Sequence, residues 1–263
     1  MGAGFMDYMI ADRVIIPGEQ RTHYAERLIV LPHAHMATDD SKEIADKSIT
    51  RRDMNLPETG FVFCCFNNSY KISPREFDVW MRLLGQIPNS VLWLAGTNDL
   101  ARRNLAAEAE KRGIDPGRLI FTARVGMADH MARHRLADLF LDTFTYTGHS
   151  TASDALWAGL PVLTCPGKGI ASRVAASLLT AIGLADLIAP TPQDYERLAL
   201  ELAQNPDRLA AVKKRLRDNR RHMPLFDTAR FTRDLESGYG LAYARFLAGE
   251  VPGDIAVEPG RRD

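Results

Sequence analysis

Three cysteines in 263 residues, none in a CxxC spacing, leave nothing from which to build a disulfide framework or a zinc site. Cys64 and Cys65 are neighbours inside an apolar run, and with Cys165 they read as reduced core thiols of a cytoplasmic protein. No apolar run reaches the length of a membrane span, and no signal-peptide pattern opens the chain. A surplus of one charge is also missing. Lys plus Arg and Asp plus Glu are 33 each, which argues against a nucleic-acid or membrane-surface partner. Neither GxGxxG nor GxxxxGK[ST] occurs, so neither common phosphate-loop fingerprint applies.

What is present is an alternation of strands and helices. It is weakest at the start, where residues 1–12 read as a loop feeding a strand with no earlier element to pair with. Pro17–Glu26 suggests a short helix, and Leu28–Leu31 a strand closed by Pro32. His33 and His35 lack a third ligand and read as surface residues rather than a metal site. Thr38–Leu56 is polar and without period, a linker at a domain boundary. From Gly60 the rhythm is regular, with strands at Phe61–Phe66, Ser90–Ala95, Arg118–Phe121, Leu139–Leu141 and Pro161–Cys165, and a last short one at Leu187–Ile188. Helices lie between them at Pro74–Gln86, Leu100–Arg112, Ala128–His134, from Thr151, and at Ile170–Ile182. Three more helices follow, Gln193–Ala203, Pro206–Arg221 and Thr228–Leu247. Such alternation specifies an α/β fold, a doubly wound, Rossmann-like parallel sheet of about five or six strands. Residues 250–263 are rich in Pro and Gly and read as a loose tail.

Ligands of such a sheet sit outside the carboxyl ends of its strands, so the polar residues there are the candidates. After the first strand of the regular part come Asn68 and Lys71, an amide and a mobile point charge suited to phosphate oxygens. A solvated loop lysine is the plainer alternative. His130 and Arg133 stand one turn apart on a short helix, and frame either a base and ribose or only solvent. After the Leu139 strand, Gly148 leads into His149, Ser150 and Thr151, with Asp154 one turn inside the helix. Ser150 or Thr151 would cap it, and its positive pole would attract a diphosphate. The same residues read equally as an ordinary capped helix. Asp154 would be repelled by a diphosphate unless it faces away, where it could accept from ribose hydroxyls.

The segments FNNSYKISP, LADLFLDT, GHSTASDALWAGLPVLT, SRVAASLL and PLFDTARF closely resemble the catalytic region of the protein O-GlcNAc transferase family, in its SPINDLY-like bacterial branch. The resemblance runs over nearly the whole chain. It implies the carboxyl-terminal lobe of a GT-B glycosyltransferase that binds a nucleotide sugar, UDP-GlcNAc, needs no metal or other cofactor, and glycosylates a protein or peptide acceptor. In the resemblance Asn68 takes the amide position near the diphosphate and Lys71 the lysine that stabilises the leaving group. His130 and Arg133 take positions around uracil and ribose, and the backbone near Val125 the edge that reads the base. His149, Ser150 and Thr151 match a His-Thr-Thr phosphate grip, and Asp154 the ribose-binding acid. Lys71 and His149 are thereby the expected catalytic residues.

Departures are few. Ser150 keeps the hydroxyl of the family's threonine, Met127 replaces a lysine near the base, and Lys168-Gly169 replaces Glu-Thr. No repeat of about 34 residues is present. Residues 1–56 are accordingly expected to be the remnant of an amino-terminal lobe and a linker, with the donor lobe at 57–249. Two alternatives stay open: a lobe inactive until a separate chain supplies the other half, and a SPINDLY-like O-fucosyltransferase that uses GDP-fucose.

Overall fold

The apolar runs on either side of the polar linker build two separate parallel sheets. The computed structural model of the chain describes residue 2 and residues 4–260. In the larger sheet, strands β3 (Val62–Cys65), β4 (Val91–Ala95), β5 (Leu119–Thr122), β6 (Leu139–Leu141) and β7 (Val162–Leu163) lie in the order β5-β4-β3-β6-β7. Every pairing is parallel, with Phe63 between Leu92 and Leu139, and Cys64 between Trp93 and Phe140. A strand covered on both faces has no polar side, and β3 is buried at all four positions. The short strand expected at Leu187–Ile188 is reduced to one parallel bridge, Thr164 to Ile188.

Helices cover both faces: α1 (Pro74–Gln86), α2 (Asp99–Lys111), α3 (Met127–Arg133), α4 (Ser150–Trp157), α5 (Val174–Ala181), α6 (Pro192–Gln204) and α7 (Pro206–Asn219). Helix α1 starts as its sequence dictates, with Pro74 first and Glu76 reaching back to the Ser73 N–H at 2.7 Å. Its buried stripe, Phe77, Trp80, Leu83 and Leu84, faces the sheet, and Trp80 Nε1 donates to the Tyr195 hydroxyl of α6 at 3.3 Å. From β3 the chain steps outward through β4 to β5. It then returns to the other side of β3 to make β6, so the winding direction reverses between β3 and β6. A crevice opens at the carboxyl ends of two such strands, because their loops lead to opposite faces.

The smaller sheet completes the reading of the amino terminus and corrects that of the carboxyl terminus. Tyr8–Asp12 (β1) pairs with a later strand, Arg27–Leu31 (β2), and β2 pairs in turn with Ile255–Ala256 (β8). Residues 255–256 are therefore strand, not loose tail; residues 261–263 of that tail lie outside the described residues. Asp254 fastens the segment by accepting from Arg21 Nε at 2.6 Å and from the Leu28 N–H at 2.9 Å. The helix expected at Pro17–Glu26 is a 3-10 turn, Gly18–His23, with no buried residue, since no apolar stripe exists to hold an α-helix there. The linker 38–56 carries only the 3-10 turn Arg52–Met54, yet it is held in place, with Arg51 donating to Asp138 at 2.9 Å. Among the described residues no helix is long and apolar enough to cross a membrane.

Helix α8 (Thr228–Leu247) closes the small sheet. Ile29, Leu31, Ile255 and Val257 pack against Phe231 and Ala242 of that helix, while Leu28 and Ala11 turn to the main core. The approach is close at Gly238, where a Cβ would lie 2.5 Å from Ile29 Cγ2 and 3.2 Å from Val257 Cγ2. Gly238→Val is therefore expected to cost about 1–3 kcal/mol by overpacking. Gly240→Ala, with nothing within 4 Å of the new carbon, should gain about 0.5–1 kcal/mol from helix propensity. Urea midpoints of the two variants check both signs.

Candidate functional site

The crevice at the winding reversal is walled by the loop after β3, residues 66–73, and the loop after β6, residues 142–149. Lys71 comes from the first. Its ammonium donates to the Thr147 carbonyl at 3.0 Å and stands 3.7 Å from the centre of the Tyr146 ring. His149 comes from the second, and its ring centre lies 5.0 Å from that of Tyr146. Lys71 and His149 thus stand beside one tyrosine, close enough for the ammonium to act on the imidazole. Burial lowers the Lys71 pKa, against the pull of Asp142, without a carboxylate paired to it. Burial likewise holds His149 below the ordinary histidine value, opposed by its contact with the Ala171 carbonyl and assisted by Lys71. The shift favours the neutral imidazole, which adds a hydrogen-bonding edge to the crevice.

Helix α4 begins at Ser150, with His149 rather than Ser150 or Thr151 in the cap position. Its first internal bond is Ser153 N–H to the His149 carbonyl at 3.0 Å, which leaves the N–H groups of Ser150, Thr151 and Ala152 without intrahelical acceptors. Gly148 is required just before them. A Cβ there would meet Thr151 Oγ1 at 2.9 Å and Ala152 N at 3.1 Å. Ser150 is exposed at this end, while the Thr151 hydroxyl turns inward to donate to Asn67 Oδ1. The hydroxyl that the resemblance assigns to the phosphate grip is thus engaged with the opposite loop.

Asn68 is exposed, and its carbonyl accepts from the Lys71 N–H at 2.9 Å. The structurally engaged amide is its neighbour Asn67, which the sequence does not single out. Asn67 Nδ2 donates to Asp142 Oδ1 at 3.0 Å and to Thr143 Oγ1 at 2.9 Å. Asp142, fully buried, also accepts from the N–H groups of Thr143 at 2.9 Å and Gly148 at 2.6 Å, and from the Thr164 hydroxyl at 2.7 Å. Burial raises its pKa to about 7, with these hydrogen bonds pulling the other way. Tyr146 was equally hidden in the sequence, since loop aromatics carry no periodicity.

Farther along the crevice the outcome is mixed. Val125 is exposed and lines a recess of about 600 Å³ with Gly96, Thr97 and Phe121–Arg124 at the ends of β4 and β5. His130 lies under the edge of this region, 5.3 Å from the Phe66 ring. Burial and the neighbouring Arg133 lower its pKa to about 4. Arg133 is only 5% exposed and is not a surface residue. It donates to the Ala123 carbonyl at 2.8 Å and to Thr122 Oγ1 at 3.1 Å, stacks over Phe66, and contacts His130 Nδ1 at 2.5 Å. Since guanidinium only donates, His130 Nδ1 accepts and its proton resides on Nε2, which leaves that edge as a donor. Arg133 is thus a support behind His130 and the 122–123 backbone, because Phe66 and Trp93 offer it ring faces in place of solvent.

Asp154 is 5% exposed and does not stand alone. Lys42 of the linker contacts its Oδ1 at 2.5 Å, and the Lys42 carbonyl accepts from Trp157 Nε1 at 2.9 Å. No pattern in residues 38–56 signals that lysine. His33 and His35 are half-buried rather than surface residues, and His35 Nδ1 meets Asp12 Oδ2 at 2.8 Å. Among the described residues no cluster of three His, Cys, Asp or Glu side chains is placed to hold a metal ion.

This arrangement can accept an anion against Lys71, a neutral imidazole and the open end of α4, with a flat group toward His130 and Val125. The chain is 36% identical, in an alignment that covers 97% of its length, to the probable UDP-N-acetylglucosamine–peptide N-acetylglucosaminyltransferase SEC of Arabidopsis thaliana. It is 36% identical over 200 residues, 76% of its length, to the UDP-N-acetylglucosamine–peptide N-acetylglucosaminyltransferase of Caenorhabditis elegans. It spans only 27% and 17% of those two proteins. The O-GlcNAc transferase of Thermobaculum terrenum superposes with a TM-score of 0.81 at 30% identity, over 89% of this chain and 44% of that one. The fold is that of the GT-B glycosyltransferases. Residues 42–235 match glycosyl transferase family 41, and the chain belongs to that family.

Proposed function

We propose that this chain is the donor-binding lobe of a protein O-linked N-acetylglucosaminyltransferase, taking UDP-GlcNAc and serving inverting, metal-independent transfer to protein Ser or Thr. The observation that carries the reading is the placement of Lys71 and His149 beside the same Tyr146 ring, next to the open N–H groups of α4. The names of the relatives, and the family, support the donor and the acceptor class. The diphosphate rests on the Ser150–Ala152 end of α4, with Lys71 above it. The uracil lies toward His130 and the Val125 backbone, and the ribose toward Asp154 and Lys42.

In the reaction the acceptor hydroxyl oxygen bonds to the anomeric carbon as the bond from that carbon to the β-phosphate oxygen breaks. The electron pair departs on the diphosphate, where Lys71, His149 and the helix end offset the developing charge. The hydroxyl proton leaves to a base on the facing lobe. Because the chain spans 27% of its Arabidopsis relative, turnover is proposed to require that lobe, supplied in the same polypeptide or by a separate chain. Three free cysteines suit a reducing, cytoplasmic setting.

Calorimetric titration with UDP tests the donor site. Lys71→Ala is expected to weaken UDP by on the order of tenfold to a hundredfold, the size of one charge-assisted hydrogen bond. The urea midpoint should move little, since a loop lysine contributes about 0.5 kcal/mol or less to folding. Unchanged affinity would remove Lys71 from the site. Competition of UDP against GDP decides the base, for Met127 at the start of α3 is exposed and offers no charge. UDP is expected to displace GDP at lower concentration, and the reverse order would favour a fucosyl donor. Peptide glycosylation by the chain by itself would overturn the need for a facing lobe.

A further inference from the structure

Asp142 is a buried carboxyl group lying under the proposed diphosphate site, where a second negative charge is unwelcome. Its partners are distributed in an unusual way. The three that can only donate, the N–H groups of Thr143 and Gly148 and the Asn67 amide, all fall on Oδ1. Oδ2 has one partner, the Thr164 hydroxyl at 2.7 Å. A hydroxyl reverses its role by rotating, which an N–H cannot do. A proton placed on Oδ2 would therefore be donated to Thr164 Oγ1, and no hydrogen bond of Oδ1 would be lost.

The same carboxyl ties both walls of the crevice together. Gly148 sets the turn into α4, and Asn67 belongs to the opposite loop and holds the Thr151 hydroxyl. Thr143 in turn donates through Oγ1 to the Tyr146 carbonyl at 2.6 Å, which sets the residue beside Lys71 and His149. We propose that Asp142 is the positioning residue of the diphosphate cradle, and that it takes up a proton on Oδ2 when the diphosphate binds. The proposal rests on the donor-site reading above.

The charged and titratable groups around Asp142 are Cys65 on β3, Lys71 on the following loop, Glu76 on α1, His149 before α4, Cys165 after Thr164, and Tyr195 on α6, whose hydroxyl donates to the Asp142 carbonyl at 3.1 Å. Lys71 favours the carboxylate, at longer range than the hydrogen bonds. Burial is the largest influence and raises the pKa to about 7 in the free protein. An arriving anion raises it further. Binding then takes up a proton at and above neutral pH, and affinity falls as pH rises through 7.

The experiment is UDP calorimetry on the full chain from pH 6.5 to 8.5 in buffers of differing ionisation enthalpy, with Asp142→Asn alongside. The wild-type chain is expected to take up a sizeable fraction of a proton and to lose up to about tenfold in affinity per pH unit. Asp142→Asn keeps the Oδ1 acceptor, so it should bind at pH 8 at least as tightly as the wild type. That variant should also lose the uptake and most of the pH slope. Uptake unchanged in Asp142→Asn would assign the proton elsewhere and overturn the proposal, as would a folded variant that no longer binds UDP. Should the variant fail to fold, carbon-13 carboxyl titration of the wild-type chain with and without UDP takes its place. One buried carboxyl titrating higher with UDP supports the proposal; none moving overturns it. A wild-type chain that does not bind UDP at any pH would instead fail the donor-site reading, a distinguishable result.

Discussion

Two loops from strands separated by more than seventy positions in the chain meet at Asn67, whose Nδ2 donates to Asp142 Oδ1 and to Thr143 Oγ1. The crevice depends on it. Removing a carboxyl group from water costs several kcal/mol, and only a full set of partners offsets that cost. Asp142 has four, and hydrogen bonds to charged groups contribute about 1.5–3 kcal/mol each. The requirement works in both directions. The carboxyl is tolerable only because Gly148, Thr143, Asn67 and Thr164 converge on it, and those residues hold their places only because it is there. A strong local constraint thus replaces what packing cannot provide, for loops at a sheet edge have little apolar surface to bury.

Around that constraint the side chains divide into two layers. Arg133, the Thr151 hydroxyl and Asn67 all spend their donors inward, on Ala123 and Thr122, on Asn67, and on Asp142 respectively. What faces outward is Lys71, His149, Ser150, the N–H groups opening α4, and the Nε2–H edge of His130. Charge follows the same division. Burial keeps His130 near 4 and His134 near 3, so the imidazoles add hydrogen-bonding edges and no charge. Lys42 and Asp154 cancel each other. Beside α4 the positive charge comes from Lys71 and the helix end, while Arg102 and Arg124 line the recess farther along. A chain with 33 basic and 33 acidic residues concentrates charge at a few atoms without any surplus.

The main sheet was legible because a strand buried on both faces must be an unbroken apolar run, and Phe61–Phe66 and Ser90–Ala95 are such runs. Lys71, His149 and Asp154 could be placed at the strand ends by counting from those strands. What stayed hidden depends on contacts distant in the chain. Asn67 and Asn68 are the same residue type side by side, and only the last half-turn of the chain leaving β3 decides which amide points inward. Lys42 sits in a stretch without period, so nothing local marks it as the partner of an acid over a hundred residues away. Ile255 and Ala256 are two apolar residues among Pro, Gly and charge, and become a strand only because β2 leaves an edge for them. The burial of Arg133 was hidden for a related reason. An arginine one turn from a histidine reads either as a ligand frame or as a surface pair, and the two aromatic rings underneath it come from other segments of the chain.

The two-layer arrangement also explains how the proposed phosphate grip would tolerate serine where the family resemblance calls for threonine. Of the two adjacent hydroxyls, Thr151 is the one with a structural task. Its methyl group fixes the rotamer that points Oγ1 at Asn67, as expected of a β-branched side chain. Ser150 is exposed at the helix end and has no such partner to keep. A hydroxyl that serves only a ligand needs to reach and to donate, and serine does both while losing a methyl that would have contacted solvent. Position 151 has to hold one rotamer with or without ligand, since the opposite wall is tied to it. Variation at the outward layer is therefore cheap, whereas a change at Asn67, Asp142 or Thr151 moves two loops at once.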